Sequence, residues 1–196
     1  MTIVLASSWP SLRTSCAVSA RRRPTVATPR AIGLVGAGTI CRLLVQTLGA
    51  VGLATRSLVI WARRPEAAAA LAATAHGWEA RVASSIAQLV LECDLIFTCT
   101  PSREPLLTAS HVGARRHANG AGGIAPPLHI CALGSDAEGK QELDPRLLAA
   151  AHLIVPDKTE QCFAFGECVT APACACLHDL PVRCFGGPQP PVPACA

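Results

Sequence analysis

The apolar run Ala31–Gly36 (AIGLVG) ends in glycine, passes through Ala37-Gly38, and continues at once into Thr39–Leu48, whose apolar residues have helical spacing. A strand that stops at a glycine and turns directly into a helix commits its surroundings to a strand–helix–strand unit. The next apolar run, Ser57–Trp61, closes that unit after about 30 residues. Gly36 permits the tight turn, Gly38 lets backbone approach a pyrophosphate, and Cys41 holds the third position, where a small residue lets helix and strand pack closely. The free N–H groups at such a helix start suit phosphate. The turn Gly36, Ala37, Gly38, Thr39, Ile40 therefore predicts dinucleotide binding. The plainer alternative is a structural glycine turn.

Downstream the rhythm continues. Pro65 opens an alanine-rich helix reaching about Ala75, with proline at a position where its missing N–H costs nothing. Trp78–Val82 is a short third strand, and Ser85–Glu92 is a helix. Asp94–Thr100 is a fourth strand, apolar enough to be covered on both faces. His129–Gly134 is a fifth, Asp144–Ala151 a helix with Asp144 as its N-cap, and His152–Pro156 a sixth strand. This alternation predicts an α/β fold: a Rossmann-type, doubly wound, mostly parallel sheet of about six strands. The domain is expected over residues 31–168. With 196 residues, 51% of them hydrophobic, the chain has material for one core; only 15% are charged, which excludes a disordered, charge-rich chain.

The flanks break the rhythm. Residues 1–30 hold five Ser, four Thr and five Arg without an Asp or Glu, the composition of an organellar transit peptide. A misplaced start codon or a disordered tail gives the same pattern. Residues 169–196 carry six prolines and four cysteines with no usable periodicity, so a disordered tail is expected. Ser110–Leu128, with four glycines, two prolines and Arg115-Arg116, is expected to be a long loop.

The net charge of +4 is misleading. Nine arginines precede the first acidic residue, Glu66; from there eight basic residues face thirteen acidic ones. Aromatics are 4% of the chain, with no tyrosine, too few for a base-stacking surface. The basic front end also lacks a groove-reading helix, so no nucleic-acid partner is expected. No apolar stretch is long enough to span a membrane as a helix. Eleven cysteines, an odd number without a secretory signal, fit a reducing compartment better than a disulfide scaffold. The location expected is the cytoplasm, or a plastid or mitochondrial matrix if the leader is a transit peptide. Cys174-Ala175-Cys176-Leu177-His178 lacks the two-residue gap of structural zinc knuckles, and no metal is expected.

Two further positions bear on chemistry. At the end of the second strand, Trp61-Ala62-Arg63-Arg64 has no carboxylate for the ribose hydroxyls of NAD. Paired guanidiniums there suit a 2′-phosphate, which favours NADP(H) over NAD(H), or else form a solvated surface pair. After the fifth strand comes Gly134-Ser135-Asp136, at the carboxyl edge of the sheet where ligands bind. Asp136 could relay a proton to a substrate nitrogen, or simply cap the next turn. Thr98 and Thr100 could offer hydroxyls to ribose or carboxamide, or satisfy local backbone.

Taken in order, these segments resemble the cofactor-binding half of the ornithine cyclodeaminase/mu-crystallin family. The resemblance runs from Ile32 to Glu167. It includes GAGTIC, Val59-Ile60-Trp61 followed by Arg63, and Asp94–Thr100 leading to Glu104-Pro105. It continues through HICALGSDAEGKQELDPRLL, LIVPD and the closing Gly166-Glu167. It implies an NAD(P)-dependent oxidoreductase or ammonia-lyase acting at the α-carbon of an amino acid, as in ornithine to proline, or on a cyclic ketimine. It places the family's acid/base aspartate at Asp136 and adds Gly134 and Ser135 to the cofactor site. The GSD and GKQEL variants look more like cyclodeaminases than mu-crystallin. Family members also carry a substrate and dimerisation segment ahead of the cofactor domain, which residues 1–30 cannot replace. Two expectations follow: a homodimerising enzyme of amino-acid metabolism, or a catalytically incomplete NAD(P)-binding protein with apolar surface left open.

Overall fold

The computed structural model describes residues 2–5, 29–118, 127–151 and 153–170. Its strands are β1 Thr2–Leu5, β2 Ile32–Val35, β3 Ser57–Trp61, β4 Glu79–Val82, β5 Leu95–Thr98, β6 Leu128–Ala132 and β7 Leu153–Val155. Its helices are α1 Thr39–Val51, α2 Pro65–Thr74, α3 Ile86–Glu92, α4 Ala109–Ala118, α5 Pro145–Ala149 and α6 Thr159–Phe165, followed by a 3₁₀ turn at Glu167–Thr170.

The strand order is β4-β3-β2-β5-β6-β1-β7. From β4 to β6 neighbours run parallel, and the chain winds outward from β2 first one way and then the other. The order thus reverses between β2 and β5, the switch point where α/β sheets open a crevice. Side chains of a strand alternate between faces, and the cores follow. Ile32, Leu34, Leu58 and Ile60 pack under α1 and α2 with Val45, Ala68 and Leu71. Val35, Val59, Ile96 and Ile130 pack on the other face with Leu89, Val90, Val112 and Leu147. Both faces are covered, which is why all of β2 is buried and why its sequence does not alternate with polar residues. The outer strand β4 is the opposite case: Glu79 and Arg81 leave a charged, exposed edge, of the kind that discourages edge-to-edge pairing.

All six expected strands are present, within a few residues of the limits read from sequence. Two expectations need correcting. Thr2–Leu5 belongs to the sheet, antiparallel to both β6 and β7. Its Thr-Ile-Val-Leu run has strand propensity, but its partners follow more than a hundred residues later. Arg30, too, is tied to the domain: its backbone N–H and guanidinium both donate to Asp94. The rest of the leader lies outside the described residues.

The second correction is Ser110–Leu128, whose first half is helix α4 rather than loop. Arg115 is 2% exposed. Its guanidinium donates to Asp94 Oδ1 at 2.6 Å, to Val90 O at 2.8 Å and to Cys93 O. It thereby binds the last carbonyls of α3, where a cation is favoured. Burial alone would push the Asp94 carboxyl up, but hydrogen bonds from Arg30 and Arg115 hold it below its ordinary range. α6 and the 3₁₀ turn were likewise not signalled by the sequence. Residues 171–196, including Cys174, Cys176 and His178, lie outside the described residues.

On the surface of α1, Ile40, Leu43 and Val51 are half exposed or more. Among the described residues, no helix is long and apolar enough to cross a membrane.

Candidate functional site

The crevice at the switch point is a cleft of about 360 Å³, lined by Gly36–Gly38, Trp61–Arg64, Ala67, Cys99–Ser102 and Leu106. Three strand ends build it. At the end of β2, Gly36 has φ +124°, a conformation L side chains rarely adopt. Its N–H donates to Trp61 O at 2.8 Å, and a Cβ there would stand 2.6 Å from Cys99 O. The turn is therefore pressed between β3 and β5. Gly38 caps α1 with no side-chain hydrogen bond, and the first turn of that helix holds no acidic residue. A Cβ on Gly38 would meet nothing within 4 Å, so this face is open for a ligand to approach the backbone. First-turn amides without a side-chain cap and a bare glycine rim suit a pyrophosphate. Beneath them Cys41 is fully buried, and its Sγ donates to Cys99 O at 3.9 Å.

Arg63 and Arg64 lie on the β3 side of the same cleft, exposed. Neither forms an ion pair with a described residue. Of the residues named from sequence, Gly36, Ala37, Gly38, Arg63, Arg64 and Thr100 line the cleft. Thr39 and Ile40 begin α1 beside it, both exposed.

Thr98 and Thr100 are not free hydroxyls. Both donate to Glu142: Thr98 Oγ1 to Oε2 at 2.7 Å, and Thr100 Oγ1 to Oε1 at 2.7 Å. Glu142 also accepts from Thr100 N at 2.6 Å and Gly134 N at 2.8 Å. Gly134 is thereby packed against the end of β5, so closely that a Cβ would lie 2.2 Å from Thr100 O. A second carboxylate, Glu167, accepts the backbone N–H groups of Glu142 and Leu143. Burial pushes its carboxyl up from the ordinary range. Both glutamates are fully buried, and neither had been given a role from sequence. Little in the sequence marked them: Glu142 stands in the polar run Gly139-Lys140-Gln141-Glu142 beside Asp144, and only Glu167 has apolar neighbours on both sides, Phe165-Gly166 and Cys168-Val169.

Ser135 and Asp136 face elsewhere. They line a second cavity of about 90 Å³ with Ala132, Leu133, Asp157, Gln161, Cys162, Gly166 and Glu167. Ser135 Oγ donates to Lys140 O. Asp136 is 58% exposed and paired with Lys140 Nζ at 2.5 Å, and that hydrogen bond holds its carboxyl below the usual range. Of the two cavities described, Asp136 lines one and the Gly36–Gly38 turn the other; Gly134, the residue before Ser135, is packed against Thr100. Among the described residues no cluster of three or more His, Cys, Asp or Glu could hold a metal.

A model of the ornithine cyclodeaminase/mu-crystallin family matches residues 6–181. The iminosuccinate reductase of Paracoccus denitrificans is 33% identical over 152 residues, 76% of this chain and 43% of that protein. The Delta(1)-pyrroline-2-carboxylate reductase of the same organism is 29% identical over 136 residues, 68% of this chain and 39% of its own length. Among solved structures, the iminosuccinate reductase in complex with NAD+ superposes with TM-score 0.61 at 25% identity, covering 80% of this chain and 45% of that one. An archaeal alanine dehydrogenase dimer with bound NAD gives TM-score 0.57 at 28% identity, over 72% and 40%. The chain spans less than half the length of each of these relatives.

Proposed function

The chain belongs to the ornithine cyclodeaminase/mu-crystallin family, and from that premise we propose that its switch-point cleft binds a nicotinamide dinucleotide for oxidoreduction at the carbon–nitrogen bond of an amino acid or imine. The observation that carries the reading is the Gly36–Gly38 turn. It brings uncapped helix amides to the cleft floor and leaves the rim bare. The pyrophosphate would lie over the start of α1, the adenosine half toward Arg63 and Arg64, and the nicotinamide half toward Thr100–Ser102.

The bound group would supply hydride transfer at its nicotinamide ring. What the chain contributes is placement and, at Asp136, a proton acceptor. Asp136 would meet a substrate as a carboxylate, as any Asp carboxyl does near neutrality; the Lys140 hydrogen bond, which holds its carboxyl below the ordinary range, weakens it as a base for as long as the pair is intact. Lys140 would have to yield this carboxylate to a substrate nitrogen. The substrate proposed is a small α-amino acid or cyclic ketimine, with ornithine-to-proline chemistry one member of that class. A homodimer is proposed, with the apolar surface of α1 open to a partner.

Relatives are described with NAD+ or NAD bound. For this chain we infer a preference for NADP(H), because two arginines that pair with no described carboxylate line the cleft on the side where the 2′-phosphate would come. Titration of the full chain with NADPH and NADH, following cofactor fluorescence, tests this. NADPH is expected to bind the more tightly, and Arg63→Ala with Arg64→Ala should weaken it about tenfold or more while sparing NADH. Equal affinities, untouched by the substitutions, would refute the NADP(H) preference. Failure to bind either cofactor would remove the dinucleotide reading.

A second reading draws on the separation of Asp136 from the cleft. A chain that binds the dinucleotide but holds no substrate beside it would be a nucleotide-binding protein without turnover. Incubation with NADPH and a panel of cyclic imines and 2-oxo acids plus ammonium separates the two: cofactor oxidation supports the enzyme, binding without oxidation the alternative.

A further inference from the structure

We propose that Glu142 is the positioning residue for the nicotinamide half of the cleft, setting the wall formed by Thr100, Pro101, Ser102 and Leu106. This rests on the dinucleotide reading above. The carboxylate is fully buried and forms no ion pair with a described Arg or Lys. A charge taken from water without a counter-ion is costly unless hydrogen bonds replace its hydration. Here four donors do so, two on each oxygen. Oε1 accepts Thr100 N and Thr100 Oγ1; Oε2 accepts Thr98 Oγ1 and Gly134 N.

These bonds lie where the sheet ends. Leu133 N donates to Thr98 O at 2.8 Å, and beyond it the β5 and β6 chains have left the ladder. The carboxylate continues the junction as a staple, holding Thr100 and Gly134 to one group. The main chain of Glu142 fixes the remainder of the wall, since its carbonyl accepts Leu106 N at 2.8 Å and Leu107 N at 3.1 Å. Its own N–H is held in turn by Glu167 Oε1 at 2.7 Å. One residue thus anchors Thr100 and Leu106, the two ends of the wall on the β5 side, while its neighbour Gln141 donates its N–H to Ser102 O at 2.8 Å. None of these hydrogen bonds reaches the β3 side, where the adenosine half would lie. The cost of taking a carboxylate out of water offsets much of what its hydrogen bonds return; a fixed wall is what this one contributes.

The assay compares the full dinucleotide with the same molecule lacking nicotinamide. Full-chain protein is titrated by calorimetry with whichever of NADH or NADPH it binds more tightly, and with ADP-ribose or its 2′-phosphate to match. In Glu142→Gln the amide offers one acceptor and one donor. Hydroxyls can rotate to suit it, but backbone N–H groups cannot, so the NH₂ is driven against either Thr100 N or Gly134 N. One side of the wall must move. The expected result is about a tenfold loss of affinity for the dinucleotide, with the ADP-ribose compound held within about twofold. Equal loss of both ligands, or loss of neither, overturns the proposal. If Glu142→Gln does not fold, Thr98→Val, isosteric and lacking one donor, carries the same comparison. It should show a smaller loss of about threefold, again confined to the dinucleotide, and unchanged selectivity overturns the proposal. A wild-type chain that binds neither ligand refutes the dinucleotide reading itself, and the two failures are thereby distinct.

Discussion

Replacing Arg115 with methionine tests how α4 is attached to the domain. Methionine keeps most of the aliphatic volume of the arginine stem, so the change isolates the guanidinium. What is lost is its set of buried bonds to Val90 O, Cys93 O and Asp94 Oδ1. Asp94 is not orphaned, because Arg30 still reaches it by backbone and side chain. The two carbonyls at the end of α3 are the groups left exposed to an apolar surrounding. Hydrogen bonds to charged groups contribute about 1.5–3 kcal/mol each, and breaking a buried pair from one side costs about 3–5 kcal/mol. We therefore expect a loss of about 3–4 kcal/mol. For a domain of this size that lowers Tm by about 10 °C, read by circular dichroism of the full chain. The acid limb should change as well. The Asp94 carboxyl is depressed in the fold, so its stabilisation is present above the ordinary carboxyl pKa and is lost as pH falls through the folded value. Without Arg115 the depression shrinks, and the loss of stability in acid becomes shallower. Dinucleotide affinity at 20 °C should not change, because Asp94 precedes β5 while the cleft lies beyond its other end. A Tm within about 2 °C of wild type, or an unaltered acid limb, would refute the assignment of α4 to this contact.

Two further substitutions address the site. Gly36→Ala places a side chain at φ +124° and 2.6 Å from Cys99 O; it should cost about 1–3 kcal/mol and abolish dinucleotide binding, and wild-type melting with intact binding would contradict the pressed-turn geometry. Lys140→Met removes the hydrogen bond that depresses Asp136; the Asp136 carboxyl should titrate at higher pH by carbon-detected NMR, and no upward movement would show that Lys140 does not hold it.

The strands were legible because their signals are local. Ile32–Val35, Ser57–Trp61 and Leu95–Thr98 are short apolar runs bounded by turn residues, and each occupies its expected place. The Gly36–Gly38 turn was legible for the same reason: a strand, a glycine and a helix start are contiguous in the chain. Helix α4 was not. Gly113 and the Arg115-Arg116 pair argue for loop locally, and the deciding contact is with Asp94, 21 residues earlier. β1 was hidden in a segment of leader-like composition, and only the gap between β6 and β7 gives its backbone partners.

The same division runs through the site. Local sequence determined the fold class, the Gly36–Gly38 turn and the presence of two arginines at the β3 edge, since each depends on neighbours a few residues away. Tertiary structure alone decided what the polar side chains touch. Thr98 and Thr100, expected to meet a ligand, are taken up by Glu142, 44 and 42 residues distant. Asp136, two residues after Gly134, lines a different cavity from the Gly36–Gly38 turn. A buried carboxylate must find its donors wherever the fold brings them, and in this chain those donors lie at strand ends that only the assembled sheet places side by side.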